Sequence, residues 1–123
     1  ISSYCSGDVE RTYPWKGGDS RGRCNTGLKL CRTTAVGLFV SGKSKQGVFD
    51  LAGNVWEWCV NDHSSPRQIR NADCKELKAI RGGAWSVSAV ESRAVNRNCA
   101  LPAVRNDYLG FRVLCSPTPS GKR

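Results

Sequence analysis

The chain has 123 residues, 39% of them apolar, a formal net charge of +9 and no Met. That length suits one domain with a modest core, and no stretch approaches the roughly 20 consecutive apolar residues that a membrane-crossing helix needs. No signal peptide is visible, and from its start at Ile1 the sequence reads as a processed, trimmed or engineered product. The charge comes from 19 Lys and Arg against 10 Asp and Glu; residues 1–50 hold 8 basic and 4 acidic groups, residues 51–123 hold 11 and 6. A nucleic-acid-binding tail more often concentrates like charge in one block, so the even split argues against one and for a soluble basic surface.

Seven cysteines (Cys5, Cys24, Cys31, Cys59, Cys74, Cys99, Cys115) occur with no Cys-x-x-Cys pair and a single His, His63. Zinc sites usually show closer ligand pairs. Disulfides in a small, loop-rich chain are the expectation, and they favour an extracellular, virion or cell-surface location. An odd count leaves one thiol over, and six paired cysteines allow about 15 connectivities.

In chain order, Tyr13-Pro14-Trp15 followed by Lys16-Gly17-Gly18-Asp19 predicts an aromatic plug and then a turn, with Trp15 in the core. Val36-Gly37-Leu38-Phe39-Val40 reads as a short strand or a loop edge. Residues 41–47 read as a polar, flexible loop; Gly42-Lys43-Ser44 lacks a Gly four residues upstream and lies outside any strand-to-helix context, so a phosphate-binding loop is not expected. Gly53-Asn54 marks a turn. After it, alternation predicts a strand with Val55, Glu57 and Cys59 on one face and Trp56 and Trp58 on the other. Glu57 among aromatics must pair with Arg, accept backbone N–H groups or bind a cation. Asn54 and Glu57 could supply oxygen ligands to calcium; a structural Glu–Arg pair is the competing reading. Residues 61–78 form a polar excursion in which His63 is a solvated loop residue. Ala79-Ile80-Arg81 opens the next strand, residues 109–114 are apolar enough for a closing one, and residues 116–123 form a flexible tail.

Residues 81–112 organise the rest. Arg81-Gly82-Gly83-Ala84-Trp85 opens this stretch and Leu109-Gly110-Phe111-Arg112 closes it, and it holds five Arg (81, 93, 97, 105, 112) and no Lys. A guanidinium offers a planar fork of donors that can hold loop carbonyls. The arginines therefore read as internal struts and the residues between them as a displayed surface.

Tyr13-Pro14-Trp15, Val36-Gly37, the run from Phe49 through Gly53-Asn54-Val55-Trp56-Glu57-Trp58, Arg81-Gly82-Gly83, Arg93 with Arg97, and Gly110-Phe111-Arg112 together resemble the formylglycine-generating-enzyme (sulfatase-modifying factor) superfamily, in order and rough spacing from about residue 13 to 115, with the family's N-terminal portion missing or shortened. The resemblance implies an α+β C-type lectin fold: short mixed strands, few helices and much ordered loop. It implies one such domain over residues 1–115, with a C-terminal variable region at about 84–108. The family's oxidases bind copper through a Cys pair between Arg-Gly-Gly and Gly-Phe-Arg. Here Ser86-Val87-Ser88-Ala89-Val90-Glu91-Ser92 contains no Cys and Cys99 stands alone downstream, so the two-sulfur site lacks its donors. The iron enzymes of the superfamily need a His cluster, which one His cannot supply.

The non-enzyme branch includes the variable proteins of diversity-generating retroelements, which display a hypervariable ligand-binding face near the C-terminus of the same fold. Adenine-directed change of an AAC codon reaches every residue type found between Ser86 and Tyr108 except Glu91. The resemblance thus implies a binding protein without catalysis or cofactor (calcium aside), of viral or microbial surface-display type. Its face would comprise Ser86, Val87, Ser88, Val90, Asn98, Cys99, Ala100, Leu101, Ala103, Val104, Asn106, Asp107 and Tyr108. Trp56, Trp58 and the five arginines form its scaffold, and Cys99 is the diversified, unpaired thiol. Tyr108 is the expected anchor, since Tyr offers much contact area at small entropy cost. The partner is a protein or surface ligand that the residues do not identify. The alternatives are a copper oxidase of the formylglycine-generating type with relocated ligands and an inactive structural member of the superfamily.

Overall fold

The structure, a computed structural model, describes residues 11–64 and 76–115. Four strands build one sheet: β1 (Trp56–Asp62), β2 (Lys78–Arg81), β3 (Asn98–Ala100) and β4 (Leu109–Gly110), in the order β3-β2-β1-β4. β1 runs antiparallel to β2 and parallel to β4, and β2 runs antiparallel to β3. Among the described residues the helical content is two single 3₁₀ turns, Val40–Gly42 and Ala89–Ser92. Short mixed strands, few helices and abundant loop are thus as expected.

The alternation in Trp56-Glu57-Trp58 explains β1. Trp56 is buried and Trp58 half-buried on the side that packs with Ile80, Ala84, Val87, Ala100 and Leu109. Glu57 lies opposite Arg81 and Gly110 across the two neighbouring strands. Beyond Trp58 the register shifts: four steps along β1, to Asp62, match two along β2, from Ile80 to Lys78. The bulge lets Asp62, 1% exposed, pair with the Lys78 ammonium. A second, smaller core joins Tyr13, Trp15 and Ala52, with Cys24 against it. The Tyr13 and Trp15 rings stack with centroids 5.0 Å apart, and Trp15 Nε1 donates to the Asp19 carbonyl at 3.0 Å. Aromatic plug and turn thus close on each other. Burying an aromatic or Ile side chain contributes about 1.5–3 kcal/mol, so these few residues carry much of a modest core.

Several local expectations change. Residues 36–40 are a loop edge, with Val36, Leu38 and Val40 exposed. The 41–47 segment is a tight turn rather than a loose loop: Gly42 and Ser44 are buried, and Ser44 exchanges backbone bonds with Val48 and Gly47. Gly37 completes a Gly-x-x-x-x-Gly-Lys-Ser pattern with residues 42–44, but the fold gives it no phosphate cradle. The Gly42, Lys43 and Ser44 N–H groups already donate to Phe39, Val40 and Val48, and a 3₁₀ turn replaces the helix such a loop needs. His63 is half-buried rather than solvated; its N–H donates to the Leu77 carbonyl at 3.0 Å. Only Leu109 and Gly110 of the closing stretch pair with β1, and residues 111–115 are exposed.

Candidate ligand-binding face

Residues 82–108 leave β2, make the 3₁₀ turn, return as β3 and loop back into β4. The first anchor is the Gly82-Gly83 turn. Both glycines have positive φ, +95° and +71°, a region that costs a side-chain-bearing residue energy. A Cβ on Gly83 would also collide with Ser92, whose Cα lies 2.9 Å from where it would stand. The missing side chain thus lets the 3₁₀ turn lie directly on the Arg-Gly-Gly turn, with Ser92 only 1% exposed.

Asn54 is the second anchor. At φ +71° it turns its carbonyl to accept Trp85 N–H at 2.9 Å, while its own N–H donates to the Asn25 carbonyl at 2.9 Å. Its Oδ1 accepts Thr34 N–H at 2.9 Å and its Nδ2 donates to the Thr34 carbonyl at 3.3 Å. Both carboxylate oxygens of Glu57 accept from Arg112, Nε to Oε2 at 2.6 Å and Nη2 to Oε1. Of the readings open for Asn54 and Glu57, the structure therefore shows protein donors on both: a Glu–Arg pair and a three-segment clasp.

Four of the five arginines brace loops as expected. Arg81 Nη2 donates to the Ala94 carbonyl. Arg97 Nη2 reaches the Asp62 and His63 carbonyls, each at 3.4 Å. Arg105 Nη1 holds the Pro102 and Val104 carbonyls at 2.8 Å. Arg112 adds the Phe49 and Asp50 carbonyls at 3.1 and 3.0 Å to its pair with Glu57. Arg93 departs from the pattern: it is exposed, and its side chain has no partner among the described residues.

The residues expected to form the face divide into three groups. Ser88, Val90, Asn98, Leu101, Ala103, Asp107 and Tyr108 are exposed. Ser86, Cys99, Val104 and Asn106 are half-buried. Val87 and Ala100 are half-buried too, and they pack against the cluster of Trp56, Ile80 and Ala84.

Sequence reasoning missed the N-terminal contribution. Ala94 N–H donates to the Thr12 carbonyl, Tyr13 hydroxyl donates to the Ala89 carbonyl, and Gly27 and Leu28 N–H groups donate to the Val87 and Trp85 carbonyls. These links join positions some 60 to 80 residues apart and leave no local signal; only the Tyr in Tyr-Pro-Trp, with its hydroxyl, hinted at one of them.

The three-bridge disulfide framework expected from the cysteine count is not found among the described residues. Cys24, Cys31, Cys59, Cys99 and Cys115 are all free; Cys5 and Cys74 lie outside the described residues. β2 separates β1 from β3, which sets Cys59 and Cys99 about 10 Å apart, beyond the span of about 7 Å that a disulfide tolerates. Burial raises the Cys24 thiol pKa, with Thr26 and Lys29 opposing. Burial also raises that of Cys59, against the pull of Arg81 and Arg97. In native-state labelling mapped by mass, the exposed Cys31 and Cys115 should react first, and Cys24 and Cys59 should lag by about tenfold or more. A thiol whose pKa is raised by folding stabilises the fold below its unfolded pKa, and that contribution is lost as pH rises through the folded value. Stability should therefore fall on the alkaline side, and less steeply in a Cys59→Ala variant. Equal labelling rates, or an unchanged alkaline limb, would contradict the burial argument.

Comparison with known proteins agrees with this architecture. Residues 3–117 match the sulfatase-modifying factor enzyme 1-like domain. A hercynine oxygenase from Mycolicibacterium thermoresistibile is 29% identical over 119 residues, covering 84% of this chain and 26% of that protein. The inactive C-alpha-formylglycine-generating enzyme 2 of Bos taurus is 32% identical over 71 residues, covering 54% of this chain and 21% of that one. The solved structure of Treponema denticola variable protein 1 superposes with a TM-score of 0.71 at 22% identity, over 89% of this chain and 42% of that one. The chain spans about a quarter of the length of the curated relatives it matches. The fold is the C-type lectin fold that these neighbours share.

Proposed function

This chain belongs to the sulfatase-modifying factor enzyme 1-like domain family, and on that premise we propose that it is a ligand-binding protein whose residues 84–108 form a diversified display face. One observation carries the reading. The backbone of this segment is held from outside itself, by Asn54, Thr12, Tyr13, Gly27 and Leu28, while seven of the thirteen residues expected on its face stand exposed. A loop fixed before the ligand arrives loses little ordering entropy on binding, and exposed side chains can vary without disturbing the support. Tyr108, 39% exposed, remains the favoured anchor. The likeness to Treponema denticola variable protein 1 and to inactive formylglycine-generating enzyme 2 supports the same direction.

The second reading, an oxidase or oxygenase, draws on the similarity to the hercynine oxygenases. Residues 81–112 offer it a single thiol, Cys99, and no His. Copper(I) loading of the reduced protein, followed by assay on a Cys-containing sulfatase peptide, should give no oxygen consumption above buffer; turnover would overturn the binding reading. Diversification has its own test in the flanking DNA. An adenine-rich imperfect copy of codons 86–108 should lie beside a reverse-transcriptase gene, with differences at Ser88, Val90, Asn98 or Tyr108 and none at Arg97 or Arg105.

A further inference from the structure

The charge count by halves of the chain hides a concentration. Residues 16–45 contain seven basic groups and one acid, Asp19, which pairs with Arg21 at 3.4 Å. Lys16, Lys29, Arg32, Lys43 and Lys45 are exposed, and among the described residues no hydrogen bond or ion pair holds their side chains. Exposed aliphatic residues lie in the same stretch: Leu28 at 53% and Leu30 at 48% on either side of Lys29, then Val36 at 83%, Leu38 at 58% and Val40 at 63%. This stretch contains no strand, yet it is one lobe. Arg23 Nη1 donates to the Ser41 carbonyl, Ser41 Oγ to that of Gly22, and Asn25 Nδ2 to that of Arg32. Gly42 meets the Arg23 carbonyl so closely that no side chain fits there.

The loop of residues 27–32 stands out within the lobe. Leu28 and Cys31 both hold positive φ, +59° and +52°, which costs a side-chain-bearing residue energy and persists only where surrounding contacts impose it. Those contacts are the bonds from Gly27 and Leu28 to Val87 and Trp85, and the Cys31 thiol on the Leu28 carbonyl at 2.9 Å. The result is a pinned loop that holds two leucines in water with Lys29 between them and Arg32 beside them.

We propose that this lobe docks on an anionic phospholipid bilayer, with Leu28 and Leu30 entering the headgroup layer and the unpaired Lys and Arg side chains meeting lipid phosphates. Isolated aliphatic side chains set among cations match the demands of a bilayer interface, where buried apolar area and attraction to anionic lipid add. A protein partner would instead call for a contiguous apolar centre with a polar rim. Single-stranded nucleic acid calls for aromatic stacking platforms, and the exposed apolar side chains of this lobe are aliphatic. Docked this way, the lobe would orient the neighbouring segment at Trp85 and Val87 relative to the membrane.

The test is co-sedimentation of the 123-residue protein with phosphatidylcholine vesicles and with equimolar phosphatidylcholine–phosphatidylserine vesicles. Binding is expected to the second only, and to weaken with salt. One Lys at an anionic surface is worth about fivefold in affinity, so Lys29→Glu should weaken binding at least that much, whereas the same charge change at Arg93→Glu, outside the lobe, should leave it within about twofold. Leu28→Ser with Leu30→Ser keeps the charge and should also lose most of the binding, with the melting temperature unchanged because both leucines are exposed. Should that double variant fail to fold, the Lys29 and Arg93 comparison decides alone. No binding to the mixed vesicles, equal effects of Lys29→Glu and Arg93→Glu, full binding by a folded leucine variant, or complete competition by soluble polyglutamate would each overturn the proposal; the last would reassign the lobe to an acidic protein.

Discussion

Gly83→Ala should destabilise the protein by about 3 kcal/mol, combining the cost of a side chain at positive φ with overpacking. On a domain of this size that is a fall of about 15 °C in melting temperature. Gly83 sits at φ +71°, and an added methyl would collide with Ser92, which is itself buried. Neither partner can yield easily, because Gly82 accepts Gly53 N–H at its carbonyl and Ser92 ends a 3₁₀ turn whose preceding carbonyls hold Glu91 and Arg93. Gly17→Ala is the control: φ is +97° there, with nothing within 4 Å of the new methyl, so only the backbone cost of about 1 kcal/mol applies. Calorimetry on both variants checks the difference, and equal effects would mean that Gly83 is required for its backbone angle alone. Since the turn places residues 84–92, the folded fraction of Gly83→Ala should also show faster amide exchange at Val87 and Glu91.

Arg112→Ala should cost about 3 kcal/mol, because it leaves the 8%-exposed Glu57 carboxylate without its cation. The guanidinium also carries the Phe49 and Asp50 carbonyls, so one side chain ties β1 to the turn before it and to the end of β4. Lys offers a point charge without the fork; Arg112→Lys should recover less than half of the loss. Glu57→Gln combined with Arg112→Met removes the unpaired charge and should be more stable than Arg112→Ala. Denaturant midpoints read all three. A change below about 0.5 kcal/mol for Arg112→Ala would place the pair among surface ion pairs of little worth. Loosening here should reach residues 84–108 through the Trp56 N–H bond to the Tyr108 carbonyl at 2.8 Å, seen as faster exchange of the Trp56 amide.

The sequence by itself determined the local events. Alternating Trp56-Glu57-Trp58 could only bury its aromatics on one face, and Gly53-Asn54 and Gly82-Gly83 mark places where the backbone takes positive φ. A carboxylate among aromatics had to find a donor, and a cluster of Arg without Lys suited the holding of carbonyls; these arguments reach Glu57, Arg81, Arg97, Arg105 and Arg112 without coordinates. They fail at Arg93, whose environment is solvent. They do not reach the packing of Val87 and Ala100, which depends on where Trp56 and Ile80 lie across the sheet. The cysteine count suggested bridges, but a bridge depends on separation in space, and the sheet order keeps Cys59 and Cys99 apart. The sequence left Asn54 open to a cation or to the backbone; that it clasps three segments depends on Thr34, Asn25 and Trp85 meeting at one point. Tertiary structure decided these cases because each depends on groups distant in sequence, and residue type and spacing record only what neighbours along the chain can do.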